Sequence, residues 1–242
     1  MQHPRGIGVP GVDAFSPCLL PSTRCLVSNT GMTTSAAPTI FEVKGLSFRY
    51  PERSLFSDWS ASLSPGVTLV LGGDGRGKTT LLRLLAGELT ANAGEFNISG
   101  IKLKTQARDY RQQVFFTEPR TDVFDQMTPV EFFDFQRSSH AGFDEGELAL
   151  CVQGLALTPE LDKRLFMLST GSKRKVFLAA AFASGAALTL LDMPFAALDK
   201  ASIGYVLALL TEGAAHPTRA FLVADYSAPT GVPLAATIDL GD

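Results

Sequence analysis

Apolar positions along this chain fall into two rhythms. Residues 67–71 (VTLVL), 188–192 (LTLLD) and 219–224 (RAFLVA) are short, almost wholly apolar runs that read as buried strands. A weaker run of the same kind covers 235–240. Residues 41–50 (FEVKGLSFRY) alternate in part, as an edge strand does, and 56–63 (FSDWSASL) form a second such run. Ser64-Pro65-Gly66 then turns the chain into the 67–71 strand. Residues 80–86 (TLLRLLA) have helical character, 87–100 read as a loop and a further strand, and 112–118 (QQVFFTE) as a strand stopped by Pro119.

The rhythm changes near residue 120. Thr128-Pro129-Val130-Glu131 is a capping box with proline at the first helical position, and the helical pattern runs to about residue 137. More helix is predicted over 145–155 and around 159–164, so residues 120–168 read as a helical subdomain inserted into a β/α alternation. A helix over 173–183 follows, and Asp199 is a good N-cap for another. Residues 176–191 carry no charge, but they are too few for a bilayer and Ser184-Gly185 divides them. They read as a buried helix, a turn and a central strand. The first 38 residues have no helix or strand period and lack the compact apolar core of a signal peptide; they read as a disordered leader, with Met32 as an alternative start. No internal repeat is visible. The pattern predicts an α/β fold with a mostly parallel sheet, an antiparallel β edge from residues 40–66 and the helical insertion, all within residues 39–242.

Composition narrows the function classes. A net charge of −3 and a pI near 5.7 give no reason to expect nucleic acid as a partner. Cys18, Cys25 and Cys151 have no metal-ligand spacing and suit a reducing cytoplasm better than a disulfide framework.

The chemistry concentrates between the 67–71 strand and the helix after it. Gly72-Gly73-Asp74-Gly75-Arg76-Gly77-Lys78-Thr79 fits the phosphate-binding P-loop, with Thr80 next in the helix. Such a turn points backbone N–H groups at an anion, and the helix N-terminus adds its partial positive charge. Lys78 would reach the outer phosphates of a nucleotide, and the Thr79 hydroxyl would hold Mg²⁺. Asp192, closing the 188–192 strand, reads as the aspartate that holds Mg²⁺ through water, or as a buried-strand aspartate with no metal. Tyr50 fits either an adenine-stacking surface or a half-buried strand.

The order of these pieces resembles the nucleotide-binding domain of ATP-binding cassette (ABC) proteins, a P-loop NTPase fold. Leu168-Ser169-Thr170-Gly171-Ser172 is similar to that family's LSGGQ signature, with Thr170 and Ser172 replacing a glycine and the glutamine. Ser169 precedes Asp192 by 23 residues, the family's usual spacing. The stretch from Leu191 through Asp192-Met193-Pro194 to Asp199 resembles LDEPTSALD, and residues 90–100, with Ala93-Gly94-Glu95, resemble the family's segment after the P-loop helix. The resemblance covers about residues 40–226. It implies that two such domains sandwich two ATP molecules, with Ser169, Thr170 and Gly171 facing the γ-phosphate bound by a partner. A plain N-cap role for Ser169 is the other reading.

Three positions depart from the family. Met193 stands where a glutamate would position or deprotonate water, and a thioether does neither. Thr117 stands at the glutamine before the insertion, and Asp225 at the switch histidine. Glu118 and Asp225 are the nearest carboxylates that could substitute. The resemblance therefore implies an ATP-binding subunit of a membrane transporter whose own site hydrolyses weakly. Its partners would be a second nucleotide-binding domain, identical or different, and a separate membrane-spanning permease. It would sit on the cytoplasmic face of a membrane, docked through the helical insertion and the surface near Thr117. A nucleotide-binding regulatory or structural protein that does not turn ATP over is the alternative.

Overall fold

The uncharged stretch over 176–191 forms the centre of the molecule. A computed structural model describes residues 38–116, 118 and 120–241, so residues 1–37 and Thr117 lie outside the described part. A five-stranded parallel sheet runs in the order β6 (Val114–Phe116), β7 (Leu188–Asp192), β8 (Ala220–Ala224), β3 (Gly66–Leu71), β9 (Ala236–Asp239). Every residue of β7 and β8 is buried, as their unbroken apolar runs require of strands covered on both faces. Helix α5 (Thr170–Ala183) leads into β7 and buries most of its length. Ser184 closes it: the hydroxyl donates to Ala181 O at 2.8 Å and accepts from Ala186 N at 3.2 Å. Arg219 donates to Phe182 O at 3.0 Å and to Ala186 O at 3.1 Å, so the carbonyls at the end of α5 find donors. Among the described residues no helix is long and apolar enough to cross a membrane.

The antiparallel strands form a sheet of their own. β1 (Phe41–Tyr50) and β2 (Arg53–Leu63) are joined by β4 (Ala93–Ile98) and β5 (Ile101–Lys102) in the order β2-β1-β4-β5. The P-loop helix α1 (Lys78–Leu85) packs against β7 and joins this sheet to one apolar core with Leu81, Leu82, Leu84 and Leu85.

The insertion carries α3 (Pro129–Ser139) and α4 (Glu145–Gly154). Thr128 and Glu131 make both bonds of the capping box, Glu131 N donating to Thr128 Oγ1 at 3.2 Å and Thr128 N to Glu131 Oε2 at 2.7 Å. Asp144 caps α4 by accepting from Glu147 N at 3.0 Å. Phe132 anchors α3, with its ring 5.0 Å from Phe124 and 5.2 Å from Phe177 of α5. The last core helix, α6 (Lys200–Ala214), begins after Asp199, whose carboxylate accepts from Ser202 N at 2.9 Å.

Two expectations shift. The strand expected over 112–118 is shorter, because the helix α2 (Ala107–Gln112) occupies its start. That helix buries only Tyr110, whose hydroxyl donates to Leu85 O at 2.7 Å, so it has no apolar stripe to read. The helix expected around 159–164 is instead two 3₁₀ turns, Thr158–Glu160 and Leu165–Met167, separated by residues 161–164, of which Arg164 is extended.

Candidate functional site

The P-loop is the turn between β3 and α1. Gly77 holds the left-handed conformation at φ 95° immediately before the helix, which a side chain would strain, and a Cβ there would meet Leu55 at 3.2 Å. The tightened loop brings Lys78 back over its own start. Its ammonium donates to Gly72 O and, at 2.9 Å, to Gly73 O, and sits 4.2 Å from the ring centroid of Tyr226. The Tyr226 hydroxyl donates to Asp74 Oδ1, and this acceptor holds its phenol above the ordinary value. Arg53 steadies the loop from β2 by donating to Gly75 O at 2.9 Å.

Parallel pairing of β3, β8 and β7 puts the ends of these strands at one edge of the sheet. Asp192 ends β7 there and accepts from Thr79 Oγ1 at 2.6 Å. Burial raises its carboxyl above the ordinary range, against the opposing pull of Thr79, Lys78 and Arg174. A cation beside it would favour the ionised form, and two oxygen donors at this separation suit a hard ion such as Mg²⁺.

These residues line a cavity of about 570 Å³. Its wall carries Arg53, Arg76, Lys78, Arg120 and Arg174 against Asp74, Glu118 and Asp192, an excess of positive charge that suits a polyanion. Tyr50 lies at the rim, 42% exposed, with its ring edge-on to Phe48 and its hydroxyl 3.3 Å from Thr80 Oγ1. It is thus an exposed strand aromatic beside the P-loop helix.

Met193 lines the same cavity, in left-handed conformation at φ 49°, with its N–H donating to Ala224 O at 2.9 Å. Asp225 follows β8 but lines a separate, smaller cavity with Phe195 and Ser227. Burial raises its carboxyl, which accepts from Tyr226 N at 2.7 Å. Glu118 does face the P-loop cavity. Thr117 is outside the described residues.

Ser169, Thr170 and Gly171 are not in this cavity. They open α5 on the surface, where Ser169 Oγ accepts from Ser172 N at 3.0 Å as an N-cap. The first turns of α5 are tied to the segment after β7. Arg174 Nη1 donates to Ala196 O, and Lys175 donates to Asp199 Oδ2 at 2.6 Å. A Cβ on Gly171 would come within 2.4 Å of Ala197 O. Gly171→Ala should therefore force these two backbones apart and destabilise the chain by about 1–3 kcal/mol, read as a lower midpoint in urea unfolding.

Sequence reading missed Arg120, Arg174 and Tyr226. Tyr226 adjoins Asp225 at a position that had already been singled out, so the strand end was a usable signal. Arg174 lies just past the 168–172 motif, on a helix whose rotation no local pattern reveals.

The family model described as ABC transporter matches residues 56–196. The cytochrome c biogenesis ATP-binding export protein CcmA of Yersinia pestis is 31% identical over 177 residues, covering 73% of this chain and 81% of that protein. CcmA of Nitrosococcus oceani is 35% identical over 185 residues, covering 76% and 84%. Among solved structures, the ATP-binding subunit of an ABC transporter superposes with TM-score 0.69 at 24% identity, over 77% of this chain and 79% of that one. An ABC transporter ATP-binding protein from Pyrococcus furiosus gives TM-score 0.67 at 21% identity, over 83% and 96%; at these identities the likeness is one of fold.

Proposed function

The chain belongs to the ABC transporter family, and from that membership we propose that it is the ATP-binding subunit of a membrane transporter whose membrane-spanning part is a separate chain. The observation that carries this reading is the division of the site. A P-loop, Thr79 and Asp192 converge on one cavity, while Ser169 and Thr170 are exposed outside it, with half-buried Gly171 next to them against Ala197. Half of a shared site is displayed for a second copy or a related domain.

In this reading the backbone N–H groups from Gly72 to Thr80 hold the phosphates of ATP, and Lys78 leaves the Gly72 and Gly73 carbonyls to reach the outer ones. Thr79 and Asp192 would hold Mg²⁺, whose charge would neutralise that of the phosphates. Tyr50 stacks on the adenine. Ser169, Thr170 and Gly171 present a helix N-terminus to ATP bound by the partner domain. With Met193 in the glutamate's place, binding and dimer closure do the work at this site, and hydrolysis there is weak. The relatives' name makes them export proteins, which favours export as the direction here.

The permease would dock on the insertion. The Leu165–Met167 turn is bonded to the 125–127 segment through Leu165 N to Met127 O at 2.8 Å and Phe166 N to Asp125 O at 3.1 Å. Val123, Phe166 and Met167 are 76%, 56% and 60% exposed on these adjoining segments, an apolar surface that supports a protein contact on the cytoplasmic face of the membrane. Paired Val123→Asp and Phe166→Ser changes should abolish co-purification with the permease and leave ATP affinity within twofold, because neither residue lines the nucleotide cavity.

The deciding experiment is purification of the intact protein from detergent-solubilised membranes of its source. A many-span protein and a nucleotide-binding partner should accompany it. Recovery as a lone chain that binds ATP would instead favour the regulatory reading, in which ATP stabilises one conformation without turnover, and Met193 is the observation behind that reading.

A further inference from the structure

Arg174 is a charged side chain that the reading above leaves without a task. It sits on α5, only 8% exposed. Its Nη1 donates to Ala196 O, its Nε is buried with no partner, and it forms no ion pair among the described residues. A buried guanidinium with unspent donors is costly unless a ligand uses it. Arg174 borders two cavities. One is small and lined mainly by apolar groups such as Phe115, Phe177 and Leu178, and its carboxylate, Asp192, already accepts from Thr79 at the P-loop. The other is the P-loop cavity, where Arg174 stands with Arg120 on the wall that also carries Asp192 and Met193.

We propose that Arg174 is a ligand of the terminal phosphate of the nucleotide bound to its own chain, supplied in cis from the helix whose N-terminus faces the partner. The proposal rests on the reading that this cavity takes ATP. Guanidinium presents its donors in a fixed fork that matches phosphate oxygens, and it cannot lose its proton at working pH. It places fixed positive charge in a site where the usual hydrolytic glutamate is a methionine. The contact holds the triphosphate state, and the bond to Ala196 O passes that state to the segment packed against Gly171. A site equipped in this way senses ATP against ADP without needing to cleave it.

The test is calorimetric titration of the full-length wild type, Arg174→Gln and Arg174→Lys with a non-hydrolysable ATP analogue and with ADP, both with Mg²⁺. The preference for triphosphate over diphosphate should fall about tenfold in Arg174→Gln, with ADP affinity held within twofold and Arg174→Lys intermediate. Equal losses for both nucleotides would reduce Arg174 to a support for the Ala196 segment and overturn the proposal; so would no loss at all. Should Arg174→Gln fail to fold, the same comparison on Arg174→Lys decides. A wild type that binds neither nucleotide would sink the ATP reading itself, a separate failure.

Discussion

Lys78→Ala should lower ATP affinity about 100-fold while leaving the fold intact. A charged hydrogen bond to phosphate is worth about 1.5–3 kcal/mol, and Lys78 is the cation at the loop that would reach more than one phosphate oxygen. In the free protein its ammonium is satisfied by the Gly72 and Gly73 carbonyls and by the face of Tyr226. Removing it leaves those carbonyls short of one donor at the edge of a water-accessible cavity, so the cost to stability is only about 1 kcal/mol. Calorimetric titration for affinity and a melting curve for stability separate the two effects. Affinity within threefold of wild type would mean that nucleotide is held elsewhere, and the P-loop assignment would fall with it.

What the sequence makes legible is what is encoded locally. The strand over 188–192 is found at its own bounds because both faces are buried and the whole run is apolar. The caps at Thr128 and Asp199 are found because a capping side chain acts within three residues of itself. The P-loop is contiguous, so eight residues bring most of the phosphate cradle with them. Helix α2 is missed because six residues with one buried tyrosine carry no period, and its strand is overlong for the same reason. Arg120, Arg174 and Tyr226 reach the cavity from three distant segments, and only the rotation of α5 and the ends of the parallel strands bring them there. Motifs thus located the glycine-rich turn and Asp192 on the cavity wall, and tertiary packing added Arg120 and Arg174 to it.

Met193→Glu should raise steady-state ATP turnover about 100-fold over wild type. A positioned general base contributes about 10²–10⁴ in rate, and the low end applies here because the switch position is Asp225, which faces a different cavity. The exchange suits the backbone: residue 193 is held at φ 49° by its bond to Ala224 O, and glutamate, unbranched at Cβ like methionine, carries no added penalty there. It also places a carboxylate on the wall that carries Arg120 and Arg174, which favours its charged form. Phosphate release with Mg²⁺, against Lys78→Ala as background, reads the gain. Adding Asp225→His to the same chain should raise turnover further if the switch position limits the repaired site. If wild type already turns over as fast as Met193→Glu, the glutamate is dispensable, and Glu118, the carboxylate already facing the cavity beside Asp192, becomes the base to remove. Loss of that turnover in Glu118→Gln would then show that a residue just before the insertion, on the loop after β6, has taken over the role of the missing glutamate.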